Sequence, residues 1–153
     1  AQRRQCPGGL RCRSCAGHIA GCHGRRLAKS ATDWEVGEQA ITITFEEALP
    51  AGESAEVSVS YAAEPENGWY FRTEAMGYPE GDDHFFTQGE PERHRHWFRS
   101  YDYPNDRFTT EVICSVPEGM VVLSNGSLEG ETTDNGITTF HWHQKKPHVN
   151  YLI

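Results

Sequence analysis

The chain has 153 residues, 37% of them hydrophobic, and this length favours a single domain with one sizeable core. Residues 1–30 carry seven basic and no acidic side chains, whereas the remainder carries seven basic and all 22 acidic ones, a net charge of −15. No apolar run is long enough for a membrane-spanning helix, and the single cysteine of the body excludes a disulfide scaffold. We therefore expect neither a membrane nor a nucleic acid as partner of the acidic body.

Residues 1–32 form a basic arm rich in Arg, Gly and Cys, without strand or helix periodicity. A C-x-x-C pair with a further histidine and cysteine has the residue types of a zinc knuckle, although the second half of the spacing is not a standard one: Cys12, Cys15, His18 and Cys22. Three interpretations are open, namely a zinc knuckle, a disordered arm that contacts nucleic acid, and a segment that is not native to the domain. We favour the third and predict that the domain proper spans residues 33–153.

Short strands separated by turns follow the arm. Ile41–Phe45 alternates polar and apolar side chains, which is typical of a half-buried strand. Val57, Val59 and Tyr61 mark a second strand, and the turn at 49–53 predicts that the two form an antiparallel hairpin.

The middle of the chain continues in the same way. The aromatic run at 69–71 and the segment 84–88 predict two more strands on either side of a polar loop at 77–83. Pro91 favours a helical turn over residues 92–97, because proline is well tolerated at the first position of a helix.

The longest predicted strand covers residues 108–116, with alternate side chains on one face: Phe108, Thr110, Val112, Cys114 and Val116. Further strands are predicted at 120–123, 137–143 and 148–153, and the Asn-Gly pairs at 125–126 and 135–136 are hairpin signals. No stretch of ten or more residues has a helical period. The sequence therefore predicts an all-β fold, either an antiparallel sandwich or a saddle-shaped sheet.

The densest polar and aromatic stretch begins at Phe85 and contains the candidate binding residues. Gly89 removes side-chain bulk between Gln88 and Glu90, so another backbone or a ligand can come close there. Gln88 and Glu90 are two positions apart and point to the same side of an extended chain. An amide and a carboxylate on one side can accept hydrogen bonds from a cation such as an ammonium group.

Other polar residues have simpler interpretations. The alternative role of Glu90 is a salt bridge to Arg93 or Arg95 in the following turn, and His94 and His96 are expected to add to a basic surface there. A second pair of histidines, at 141 and 143, is expected to face solvent while the aromatic residues at 140 and 142 face the core. We see no acid or cysteine near this pair in sequence that would complete a metal site.

The same stretch resembles the N-terminal domain of the aminopeptidase N family, on the residues Thr87-Gln88-Gly89-Glu90, Phe98 and Asp102-Tyr103-Pro104. The resemblance continues through segments 107–110, 116–120, 123–126 and 147–153, and it covers about residues 34 to 153. The chain departs from the family pattern at Arg99-Ser100, where the family commonly has Pro-Cys.

The resemblance implies a part of a zinc exopeptidase of the gluzincin type, related to the leukotriene hydrolases. In that family the glutamine matching Gln88 lines the pocket for the first side chain of the substrate, and the acid matching Glu90 helps to hold its free α-amino group. The H-E-x-x-H zinc motif and the Gly-x-Met-Glu-Asn segment of the family are absent here. We therefore expect a truncated domain with no metal ligands or catalytic residues of its own, whose partners are a downstream catalytic domain and a peptide substrate.

Two alternatives remain open from the sequence. The chain could serve as a stand-alone β module that binds proteins or peptides without catalysis. It could also bind nucleic acid through the Cys- and His-containing arm, which is the weakest of the three hypotheses.

Overall fold

A computed structural model describes the chain at residues 17–18, 26–27, 31–36, 41–45, 48–52, 54–57, 65–101 and 103–153. The chain divides into two compact units, one at residues 16–58 and the other at residues 1–15 with 59–153. The described residues are mostly in antiparallel strands with a few short 3-10 turns, which confirms the predicted all-β class. In the described part of the chain, no helix has the length and apolar character needed to cross a bilayer.

The described residues of the unit at 16–58 form the strands β1 (Gly17–His18), β2 (Arg26–Leu27), β3 (Ala31–Val36), β4 (Ile41–Phe45) and β5 (Ser54–Val57). β5 lies between β1 and β2, and β3 pairs antiparallel with β4. The predicted strand at Ile41–Phe45 is confirmed with its bounds. Among the described residues β4 pairs with β3, whereas Val59 and Tyr61 of the expected second strand lie outside the described residues, so the predicted hairpin stays a prediction. The connection at 37–40 is shorter than the one at 46–53, so β3 is the neighbour that is easier to reach.

The other unit contains β6 (Trp69–Arg72), β7 (His84–Thr87), β8 (Phe108–Pro117), β9 (Ser127–Asp134) and β10 (Ile137–His148). Within its described residues, 3-10 turns lie between or after these strands, at Glu74–Met76, His94–His96 and Asn150–Leu152. β6 and β7 form an antiparallel hairpin, and β8, β10 and β9 form an antiparallel sheet with β10 in the centre. The strands expected at 69–71, 84–88, 108–116 and 137–143 are all present, although the second ends one residue earlier than predicted.

Of the two Asn-Gly hairpin signals, the one at 135–136 is confirmed by the β9–β10 connection and the one at 125–126 is wrong. Asn135 and Gly136 both have positive φ, 49° and 75°, as a two-residue hairpin loop requires. Asn125 and Gly126 instead end the long connection from β8, and β9 begins directly afterwards at Ser127.

Among the described residues, the core of this unit is centred on the predicted face of β8. Cys114, Val116, Val122 and Phe140 are buried, and partly buried side chains surround them: Phe85, Val112, Met120 and Trp142. Phe85 carries this packing to β7, which anchors the β6–β7 hairpin on the larger sheet. The end of β7 is therefore held in place by the core, and the candidate binding residues follow it.

Two predicted strands are not formed. The segment 120–123 alternates as expected, with Met120 and Val122 inward, but it has no ladder partner within the described residues. A hydrogen bond of 3.1 Å from the Trp142 indole N–H to the Val122 carbonyl holds it instead. At the C-terminus, β10 runs on to His148 and the chain then forms a 3-10 turn in place of the strand expected at 148–153.

Candidate functional site

The candidate site is the loop that leaves β7. β7 ends at Thr87, and the backbone N–H of Gln88 donates to the Gly68 carbonyl at 2.9 Å, so the hairpin pairing reaches one residue beyond the strand. Glu90 follows after one intervening glycine and is joined to Pro91 by a cis peptide bond. Because Gln88 is tied to the residue that precedes β6, the loop starts from a fixed position.

Gly89 is buried between two exposed neighbours, Gln88 and Glu90. A Cβ atom on Gly89 would lie 2.9 Å from both the Cα and the carbonyl oxygen of Tyr151. A residue larger than glycine does not fit at that separation. The predicted close approach of another backbone is therefore confirmed. The 3-10 turn at the C-terminus therefore packs directly on the candidate loop.

The side chains of Gln88 and Glu90 are both exposed. Within the described part of the chain, neither side chain takes part in a hydrogen bond or an ion pair. The loop thus presents an amide and a carboxylate on either side of a buried glycine, and both groups are available to a ligand. That they point to the same side stays a prediction, because strand alternation ends with β7.

The two arginines proposed as alternative partners of Glu90 have other contacts. The Arg93 guanidinium donates to the Tyr70 hydroxyl at 2.9 Å, and Arg95 forms an ion pair with Glu92 at 3.0 Å. The salt bridge of Glu90 to either arginine is absent from the described residues. The Arg93 hydrogen bond lowers the pKa of the Tyr70 phenol, with a smaller contribution from the Gly68 backbone.

Comparison with known protein families matches residues 25–152 to the peptidase M1 N-terminal domain. The chain belongs to this family. The match confirms the resemblance drawn from the sequence motifs, and it covers most of the 153 residues. No curated protein and no solved structure matched the chain.

Membership of the peptidase M1 N-terminal domain family indicates that the chain is part of an M1 aminopeptidase. An N-terminal domain of a peptidase implies a catalytic domain downstream and peptide substrates. The match begins inside the basic arm, so the boundary between residues 32 and 33 stays a prediction. The arm cysteines at 12, 15 and 22 lie outside the described residues. The zinc-knuckle interpretation therefore stays untested by the structure.

The M1 family is generally zinc-dependent. Among the residues that the structure describes, no group of three or more His, Cys, Asp or Glu side chains could hold a metal ion. The described part of this M1 N-terminal domain therefore does not offer the donor set that a zinc ion needs, which is usually three or four ligands.

His94, in the turn after the loop, does not lie on the surface as expected. His94 is only 1% exposed, and its ring stacks on Phe98 with centroids 4.7 Å apart. Trp97 stands edge-on to Trp69 at 4.9 Å, which joins the same turn to β6. The expectation of an exposed His94 is wrong because the local 3-10 turn brings its ring among aromatic neighbours, whereas His96 is exposed as expected.

The histidines of β10 show what sequence reasoning missed. Phe140 is buried and Trp142 packs on the core, so the predicted facing of this strand is confirmed. No acid lies near this pair in sequence, but the Glu111 carboxylate of β8 lies 2.6 Å from the ring of His141. Glu111 is opposite His143 in the β8–β10 register. A contact between residues 111 and 141 has no local sequence signal, and only the strand register could have revealed it.

Proposed function

We propose that this domain recognises the free N-terminus of a peptide in an M1 aminopeptidase. In this proposal the Glu90 carboxylate accepts hydrogen bonds from the α-ammonium group, and Gln88 borders the pocket for the first side chain. The observation that carries the proposal is the loop itself, in which both exposed side chains flank a buried glycine and have no partner among the described residues.

The chemistry of an exopeptidase explains why such a carboxylate is needed. The enzyme must distinguish a terminal ammonium from an internal amide, and only the ammonium offers a full positive charge with three donors. A charge-assisted hydrogen bond is about twice as strong as a neutral one, and it gains strength where water is partly excluded. Glu90 can supply that bond without first breaking a salt bridge, since its carboxylate is unengaged in the described residues.

The remaining parts of the reaction fall to the downstream domain in this proposal. A bound zinc ion there would polarise the scissile carbonyl and activate a water molecule. The residues of the present chain would only bind and orient the substrate. Gln88 and Glu90 would fix the position of the first residue, so that the bond after it meets the catalytic groups.

The proposal is tested by Glu90→Ala in a protein that joins this domain to its catalytic domain. We expect kcat/KM for an aminoacyl reporter to fall by roughly ten- to a hundredfold, the equivalent of one lost hydrogen bond to a charged group. The thermal midpoint should stay unchanged, because Glu90 is exposed and unpartnered within the described residues.

Glu118→Ala is the matched control. Glu118 is also an exposed glutamate, and its backbone N–H donates to the Gly136 carbonyl. It lies at one end of the β8–β10 ladder, whereas Tyr151, which packs on the loop, follows the other end. It should leave kcat/KM within about twofold of the wild type. Unchanged turnover in Glu90→Ala would remove the proposal and favour a binding module without a role in catalysis.

A further inference from the structure

We infer that Arg93 is a positioning residue that fixes the Gln88–Glu90 loop on the β6–β7 hairpin and so presents the Glu90 carboxylate in its binding geometry. The inference rests on the proposed function of Glu90. It adds a residue outside the Gln88–Glu90 pair to the recognition of the substrate, through contacts that the structure shows.

Arg93 donates two hydrogen bonds, one to the loop and one to the hairpin, and its carbonyl group packs closely on Gly68. Its backbone N–H donates to the Gly89 carbonyl at 2.8 Å, which closes residues 89–93 into a turn. Its carbonyl oxygen lies over Gly68, where a Cβ atom would come within 2.2 Å of it. Its guanidinium donates to the Tyr70 hydroxyl at 2.9 Å. The turn that contains Glu90 is thereby tied to the start of β6 through both backbone and side chain.

The anchor at Tyr70 is itself held by the sheet. Tyr70 lies opposite Phe86 in the β6–β7 register, and the two rings stack with centroids 5.4 Å apart and planes 27° apart. A ring that is paired across two strands has little freedom, so the hydroxyl is a fixed acceptor. A loop fastened to a rigid element holds a functional group more accurately than a free loop does.

The choice of Tyr70 as partner also leaves Glu90 available. Arg93 lies three residues beyond Glu90, close enough in sequence for an ion pair, and such a pair would compete with the substrate ammonium for the carboxylate. The Tyr70 hydroxyl gives the guanidinium a different acceptor. Arg93 can therefore hold the turn without neutralising the group that the substrate needs.

Two conservative substitutions test this role in the protein that joins the domain to its catalytic domain. Tyr70→Phe removes only the hydroxyl, and Arg93→Met removes the guanidinium but keeps both backbone contacts. We expect KM for an aminoacyl reporter to rise by about tenfold in each variant with kcat nearly unchanged, because a looser turn must be ordered again on binding.

Arg72→Met is the control for the loss of an arginine side chain, since Arg72 lies on β6 like Tyr70 but contacts a different ring. Its guanidinium lies over the Tyr78 ring, 4.4 Å from the centroid, and has no part in the turn at 89–93. KM should stay within about twofold of the wild-type value in this variant. A spectroscopic titration of the 153-residue chain checks the contact itself, since Arg93→Met should raise the pKa of Tyr70 back toward 10.0.

A double-mutant cycle that combines Arg93→Met with Glu90→Ala separates this inference from the proposed function. If Arg93 acts through Glu90, Arg93→Met raises KM in the wild type and has no further effect in the Glu90→Ala background. An equal effect in both backgrounds refutes the positioning role, and so does an unchanged KM in Tyr70→Phe and Arg93→Met while Glu90→Ala remains impaired. If Glu90→Ala alone has no effect, the proposed function itself is wrong.

Discussion

Gly68 is a position outside the Gln88–Glu90 loop at which a single methyl group should disturb that loop. Gly68 has a φ of +78°, and a Cβ atom there would lie 2.2 Å from the Arg93 carbonyl oxygen and 3.0 Å from a ring carbon of Trp97. Gly68→Ala must therefore push the turn at 89–93 away from β6. Gly77 offers a matched comparison, because its φ is +90° and a Cβ atom there would meet nothing within 4 Å.

The difference between the two glycines gives the magnitude. An alanine in the left-handed region costs about 1–2 kcal/mol at either position. At Gly68 the Arg93 carbonyl must in addition move by more than 1 Å to reach an ordinary contact of 3.4 Å. Displacements of this kind in packed regions cost typically about 1–3 kcal/mol. We expect Gly68→Ala to be less stable than Gly77→Ala by roughly that second amount.

Urea unfolding of the 153-residue chain, followed by tryptophan fluorescence, measures the two free energies of unfolding. Amide hydrogen exchange at Gln88 and Arg93 locates the change, because their N–H groups donate to the Gly68 and Gly89 carbonyls. Protection at both amides should fall in Gly68→Ala and stay at the wild-type level in Gly77→Ala. Equal stability and equal protection in the two variants would refute the tight contact between β6 and the turn.

Three further predictions concern the rest of the unit. Phe140→Ala should lower the free energy of unfolding by about 3–5 kcal/mol, measured by urea unfolding, since Phe140 is buried in the core. Lys145 lies 2.7 Å from Glu129 and lowers the pKa of that carboxyl, so the pair contributes stability above pH 4.5 that is lost as pH falls through the lowered pKa. Lys145→Met should raise the pKa of Glu129, followed by NMR titration, and weaken this acid dependence; an unchanged pKa would contradict the assignment. The 153-residue chain alone should release no amino acid from an aminoacyl reporter, with or without added zinc, and turnover by the purified chain would contradict this.

Patterns within one segment predicted the features that depend on that segment alone. The alternation at 108–116 identified the buried face of β8, and Asn135-Gly136 identified the β9–β10 hairpin. The close backbone approach at Gly89 also followed from the residue type. Each of these features needs only the local side-chain period or a residue that tolerates an unusual backbone or close contact.

Contacts between distant segments were not predictable in the same way. The pairing of Tyr70 with Arg93 depends on the turn that follows β7, and the contact of Glu111 with His141 depends on the register of β8 and β10. The alternation of a strand fixes which side chains share a face, but it does not name the partner strand. For the same reason the alternation of Ile41–Phe45 did not identify β3 as a partner of β4.

The central claim, that Glu90 recognises the substrate's ammonium group, is tested most directly by paired substrates in the protein that joins this domain to its catalytic domain. One reporter carries the free α-amino group and the other is the same acyl reporter without it. The ratio of kcat/KM for the reporter with the amine to kcat/KM for the reporter without it should fall by about ten- to a hundredfold in Glu90→Ala. Most of the loss should be in the reporter that bears the amine. A ratio that is the same in Glu90→Ala and in the wild type would show that another residue recognises the ammonium group.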